Sequence, residues 1–246
     1  MSHETILVIL FAVSAGALVK GLSGLGLPMV AVPLMAGFLG VEHSVALMVV
    51  PMMVTNMWQL CTYRSHAVAF PNMPSVIAIS VFGVAVGSWI LASVPDQWLI
   101  GLLAVWLGLY LISLALHYEP RIEGRHGRWL SFVIIWFAGF MQGAIGAAGP
   151  VIGPYVHALR LRKGAYVFTV SVLFQIFGIT QIVALAWHGV LTLDRLYEGA
   201  LACLPVLIVM PLAMRVSGKF TTRGFELMLM AIFVLMEARL IYRIIA

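Results

Sequence analysis

Gly21-Leu22-Ser23-Gly24-Leu25-Gly26-Leu27-Pro28 and Gly143-Ala144-Ile145-Gly146-Ala147-Ala148-Gly149-Pro150 are the two stretches whose reading decides the fold. Each is rich in glycine, ends on proline and leads into a short apolar run, residues 28–39 after the first and 150–159 after the second. A helix rises ~1.5 Å per residue and must cover ~30 Å of hydrocarbon to span a bilayer, so runs of this length cannot cross alone. Glycine permits positive φ and close approach, and proline suits the first turn of a helix, where its N–H would be unpaired anyway. An offset of 122 residues places Gly21 on Gly143, Gly24 on Gly146 and Pro28 on Pro150. The same offset pairs Gln59 with Gln181, His66 with His188 and Val68 with Val190. One slip occurs, because Pro33 follows Pro28 by five residues and Pro154 follows Pro150 by four. The order of these matches predicts a tandem duplication.

Outward from the turns, hydrophobic residues make up 63% of the 246 and charged residues 9%, whereas a soluble domain carries roughly 25% charge. So few charges cannot cover a soluble surface, and the length suits about ten bilayer segments of ~20 residues. Apolar runs fall at 5–20, 28–39, 43–62, 74–93, 97–117, 129–143, 150–159, 164–187, 197–214 and 222–245. The predicted fold is an all-α integral membrane protein of two inverted-topology repeats, residues 1–117 and 129–246, joined by a linker at 118–128. Segments 1 with 2 and 6 with 7 form its two Gly/Pro-interrupted hairpins. The first arm, Thr5 to Lys20, comes to about 24 Å, so its hairpin is expected to end inside the bilayer. Met1-Ser2-His3-Glu4 lacks the basic region of a signal peptide, and the first segment is expected to be retained.

Charge placement sets the orientation. With the hairpins entering from opposite sides, one side gathers Arg64, Arg121, Arg125, Arg128, Arg160, Arg162, Lys163, Arg215, Lys219 and Arg223, and the other only Arg195, Arg239 and Arg243. Without the inversion the split is 7 against 7, Lys20 included. The positive-inside rule selects the inverted arrangement, with both termini outside and the linker in the cytoplasm. Such repeats are a hallmark of secondary transporters. The net charge of +5 sits in short connections rather than in a basic face, which excludes nucleic acid as a partner. Cys61 and Cys203 lie far apart and are read as packing residues. No cofactor and no metal are expected.

Irregular backbone at membrane depth needs protein or a water-filled cavity around it, so the two turns mark the candidate substrate site. Free amides at the start of each returning helix, with its positive dipole end, attract an anion. The competing reading is that these glycines let helices pack closely. Lys20, the one cation in either turn, is the first choice for an anion contact, or else a lysine snorkelling to the interface. Gln142 occupies the matching place and offers neutral hydrogen bonds. Thr55, Asn56 and Gln59 share a face of segment 3, and segment 8 carries Thr169, Ser171, Gln175 and Gln181. The candidate substrate-binding residues are thus Lys20, Gly21, Ser23, Gly24, Gly26, Gln142, Gly143, Gly146 and Gly149, with Asn56, Gln59, Gln175 and Gln181 from the facing helices.

The run from Gly21 to Leu34 and the run from Gly143 to Pro154, Gly143-Ala144-Ile145-Gly146-Ala147-Ala148-Gly149-Pro150-Val151-Ile152-Gly153-Pro154, resemble the two signatures of the TauE/SafE family of sulfite exporters. Where family members often carry consecutive glycines, this chain has Gly26-Leu27 and Ala147-Ala148-Gly149. The resemblance implies sulfite and other small sulfur-containing or organic anions as substrates, moved across the bacterial inner membrane. A coupling proton or cation and self-association stay open.

Two other classes compete. Gly21-Leu22-Ser23-Gly24 matches the surroundings of an intramembrane serine protease nucleophile, which needs a histidine within reach of Ser23. His43, His66, His157 and His188 all lie near segment ends, and Ile145 stands where a second serine would. A passive anion channel is the other alternative, because neither a coupling carboxylate in a segment centre nor a gate is legible. Glu226 and Glu237 fall near helix ends.

Overall fold

Every apolar run becomes a helix in the computed structural model, which describes residues 3–67, 73–116, 126–217 and 222–245. In chain order these are α1 (His3–Ser23), α2 (Leu27–Leu39), α3 (Val41–Thr62), α4 (Met73–Ser93), α5 (Asp96–Ala115), α6 (His126–Ile145), α7 (Gly149–Ala158), α8 (Lys163–Trp187), α9 (Leu193–Val216) and α10 (Thr222–Ile245). A short 3₁₀ turn, Arg64–His66, follows α3. Among the described residues all regular structure is helical, and α1, α3, α4, α5, α8 and α9 are long and apolar enough to cross a membrane. The chain is therefore a multi-pass, all-α membrane protein. Most of the linker expected at 118–128 lies outside the described residues, as do Arg121, Arg125 and Lys219 of the charge count; 126–128 already belong to α6.

Two helix ends differ from the sequence reading. α1 runs on through Lys20, Gly21, Leu22 and Ser23, giving 21 residues, or about 31 Å. Its length therefore suffices for a crossing, and arm length does not set the depth of the turn. α6 likewise continues through Gly143 to Ile145. The reason is packing: a Cβ on Gly21 would stand 2.5 Å from Ala213 Cβ and 2.7 Å from Met210 O. One on Gly143 would stand 2.4 Å from Val84 O and 2.7 Å from Ser88 N. These two glycines stay helical because a neighbouring helix fits against them.

The tightest pair is α4 with α6. Here Gly83 and Gly87 oppose Gly139 and Gly143, and a Cβ at any of the four would come within 2.2–2.9 Å of partner backbone. Other pairings are matched between the halves. α1 packs on α2 and α9, while α6 packs on α7 and α4; α3 packs on α2 and α9, while α8 packs on α7 and α4. α3 and α8 face each other, and so do α5 and α10. α3 thereby lies between both glycine turns.

Polar bonds gather at the start of α3. Asp96 Oδ1, at the start of α5, accepts from Val41 N at 2.6 Å, and Arg243 lies 3.4 Å from Asp96 Oδ2. A carboxylate at two helix starts suits their unpaired amides and dipoles. Glu42 pairs with Arg195 at 2.8 Å and His43 with Glu198 at 2.5 Å, tying α3 to α9.

Candidate substrate site at the two glycine turns

α1 ends with Gly24 N donating to Lys20 O at 2.7 Å, after which Gly24 (φ +89°) and Gly26 (φ +109°) carry the chain into α2. α6 ends with Gly146 N donating to Gln142 O at 2.9 Å, and Gly146 has φ +67°. Positive φ is where an L side chain is strained, so Gly24, Gly26 and Gly146 are turn glycines in the sense expected. Gly149 is not. It opens α7 and packs against Met29, its Cβ position 2.7 Å from the sulfur. Pro28 and Pro150 both fall in the first turn of their helices, as expected.

Each turn is held by the glutamine of its own half. Gln59 Nε2 donates to Gly24 O at 3.0 Å, and its Oε1 accepts from Ser171 Oγ of α8 at 2.9 Å. Gln181 Nε2 donates to Gln142 O at 2.9 Å, and its Oε1 accepts from Gln142 Nε2 at 3.1 Å. The second turn has one further anchor, Trp106 Nε1 of α5 donating to Ala147 O at 2.9 Å.

Lys20 is 3% exposed, and its Nζ donates to Asn56 Oδ1, itself fully buried. Gln142, 122 residues on, is 1% exposed and touches Met52 Sδ at 3.4 Å. Met52 and Asn56 are one turn apart on α3, ~6 Å along its axis. Lys20 and Gln142 thus address consecutive turns of the same helix. Each turn also meets the short helix of the other half, since the Cβ position of Gly146 lies 3.1 Å from Val32 of α2 and that of Gly153 of α7 lies 3.5 Å from Leu25. Between them runs a slot lined by Pro28, Val32, Val45, Met48, Val49, Met52, Gln142, Gly146 and Gln181. The slot is too thin to admit a water-sized sphere.

Several polar atoms around these clusters are buried without a hydrogen-bond partner: Asn56 Nδ2, Gln142 Oε1, Thr169 Oγ1 and Gln175 Oε1. Leaving such a group unpaired is unfavourable by ~1–3 kcal/mol. Lys20, Gly24, Asn56 and Gln59 are thus brought into one cluster, and Gln142, Gly143, Gly146 and Gln181 into a second. Gln175 is buried on α8 and bonds to neither. Gly21 and Gly143 contact neighbouring helices, and Gly26 packs on Val19. Ser23 Oγ donates to Val19 O at 2.9 Å and Leu25 O at 2.7 Å. No described histidine bonds to it; His43 is engaged by Glu198 and His66 by Ser65.

Three residues escaped the sequence reading. Met52 joins the clusters, Trp106 holds the second turn from 41 residues away, and Glu198 is 7% exposed against His43. Asn56-to-Met52 spacing on one helix face could have pointed to the first. Trp106 and Glu198 carry no signal in sequence distance.

Two buried polar clusters at broken helices, inside a bundle of crossing helices, define the class of polytopic membrane transporters. Comparison with known families agrees: residues 8–240 match the model of the family described as sulfite exporter TauE/SafE, and the chain belongs to that family. No curated protein and no solved structure gives a significant match.

Proposed function

We propose that the protein is a secondary transporter of a small anion, either sulfite, a sulfonate or a related sulfur-containing or organic anion. It works in the bacterial inner membrane by alternating access around the two glycine turns. The observation that carries this reading is Lys20, buried beside the first turn with Asn56 Nδ2 next to it and unpartnered. Pro28 and Pro150 have no N–H, and the amides of Val30, Val151 and Ile152 bond to Gly26 O and Ala148 O, which leaves Leu27, Met29 and Gly149 to offer an N–H at the positive dipole ends of α2 and α7. Gln142 supplies neutral hydrogen bonds opposite.

In this reading the halves are repeats of opposite topology, the turns lie near mid-bilayer, both termini are outside and the linker at 118–128 is cytoplasmic. A cysteine placed at Gly124 is expected to react with impermeant reagents only from the inside; labelling from outside intact cells contradicts the topology. The function itself is tested with purified protein in proteoliposomes and a panel of sulfite, thiosulfate, short sulfonates and carboxylates. Saturable uptake of at least one sulfur-containing anion is expected. No uptake of any of them above empty liposomes contradicts it.

A further inference from the structure

No carboxylate pairs with Lys20 among the described residues. Among the described residues its hydrogen-bond partner is the neutral Asn56, and the ion pairs of the fold are made elsewhere, by His43 with Glu198, Glu42 with Arg195 and Asp96 with Arg243. On α1 itself the other ionisable residues are His3 and Glu4, in its first turn. α2 has no ionisable side chain. On α3, Glu42 and His43 lie at least thirteen residues from Asn56, about 20 Å along the helix; Cys61, with Tyr63, Arg64 and His66 just past the helix end, supplies no carboxylate. α9 carries Asp194, Arg195, Tyr197 and Glu198 in its first two turns, Cys203 beyond them, and Arg215, exposed and itself a cation. α8, reached through Ser171 and Gln59, carries Lys163 and Tyr166 near its start and otherwise neutral side chains.

A buried ammonium with no counter-charge is unfavourable, whereas one facing an anion is compensated. We propose that Lys20 is the coupling site as well as an anion contact: it takes up a proton together with the anion and gives both up on the other side. This rests on the anion-transport reading above. The step balances simply. The Lys20 amine, a proton from water and the anion form an ammonium–anion pair; on release the same N–H bond breaks, the proton returns to water and the anion leaves. Asn56 Oδ1 serves both forms, because an amine and an ammonium each have an N–H to donate. With a monoanion, loaded and empty sites both carry no net charge, and the empty carrier returns without an uncompensated ion in its core. Gln142, neutral on the opposite side, adds no second charge, so a dianion travels with one negative charge unmatched.

The experiment uses the full chain in proteoliposomes with a trapped pH indicator, and as probes ethanesulfonate and thiosulfate, neither of which binds a proton near neutral pH. Entry of ethanesulfonate is expected to acidify the lumen by one proton per anion and to be indifferent to a potassium diffusion potential. Thiosulfate entry is expected to acidify equally and to respond to voltage. Lys20→Arg keeps a cation that cannot shed its proton; it is expected to retain anion-for-anion exchange while net uptake and acidification are lost. Wild-type stoichiometry decides the matter if that variant does not fold. Ethanesulfonate or thiosulfate uptake without acidification overturns the coupling and leaves anion transport standing. So does proton-coupled net uptake by Lys20→Arg. Uptake of neither probe nor sulfite overturns both.

Discussion

The second glycine turn stands on α6, which meets its neighbour α4 through four glycines, and the first on α1, which meets α9 through one glycine, Gly21. α6 meets α4 through Gly139 and Gly143 against Gly83 and Gly87. At the positions 122 residues away, α1 and α9 have Ala17, Gly21, Pro205 and Val209, so only Gly21 keeps the close approach. The second turn is also bonded by Trp106, whose counterpart position holds Met228. The charged group, Lys20, belongs to the less constrained turn, and the neutral Gln142 to the clamped one. Both turns have a positive-φ glycine at the matched position, Gly24 and Gly146, and both are tied by a glutamine, Gln59 to Gly24 O and Gln181 to Gln142 O. What differs is the support, and with it the half that carries the charge.

The largest effect is expected where the support differs most. Gly87→Leu places a side chain whose Cβ would lie 2.2 Å from Phe140 O and 2.7 Å from Ala144 N. Backbone cannot move aside as a side chain can, so the expected outcome is loss of the monodisperse size-exclusion peak. Val209→Leu, at the matching place in the other half, is expected to change stability by less than about 1.5 kcal/mol. Equal tolerance of the two would break the comparison.

Next come the turns. Gly24→Ala and Gly146→Ala each force an L side chain to positive φ, a strain of ~1–2 kcal/mol. Gly24→Ala is expected to lower the Tm further, since its Cβ meets Val167 Cγ2 at 2.7 Å while that of Gly146 meets Val32 and Val45 at 3.1 and 3.2 Å. The reverse order would mean that Val167 yields to the new methyl group more readily than Val32 and Val45 do. The smallest change is Trp106→Phe, which keeps an aromatic ring beside Phe137 but removes the bond to Ala147 O. A loss of ~0.5–1.5 kcal/mol is expected in thermal unfolding in detergent. An unchanged Tm would mean that the clamp on α6 suffices without it.

Hydropathy alone places all the helices in order, because a segment that must satisfy its backbone in lipid has few alternatives to a helix. The turns were legible from glycine followed by proline, and Gly24 and Gly146 take the positive φ that this pattern suggested. Where α1 and α6 end was not legible. Glycine ordinarily weakens a helix, and only the partners Met210, Ala213, Val84 and Ser88 reveal that Gly21 and Gly143 are packing positions. The polar faces of α3 and α8 are legible from spacing, but the pairing of Lys20 with Asn56 and of Gln142 with Gln181 depends on how helices far apart in sequence cross. Glu198 was passed over because it sits in the second turn of α9, where solvent is the ordinary expectation. His43 of α3 covers it.

The central claim is that Lys20 is an anion contact and not a lysine that reaches the interface. Lys20→Gln gives the first turn the same neutral side chain as the second. The measurement is sulfite and ethanesulfonate uptake by the purified, reconstituted variant, with its size-exclusion profile and Tm taken beside the wild type. Loss of an anion contact removes favourable electrostatics along with one intramembrane charge, so the account expects a folded protein of unreduced Tm whose uptake falls to the level of empty liposomes. Uptake at the wild-type rate would contradict it and remove Lys20 from the site.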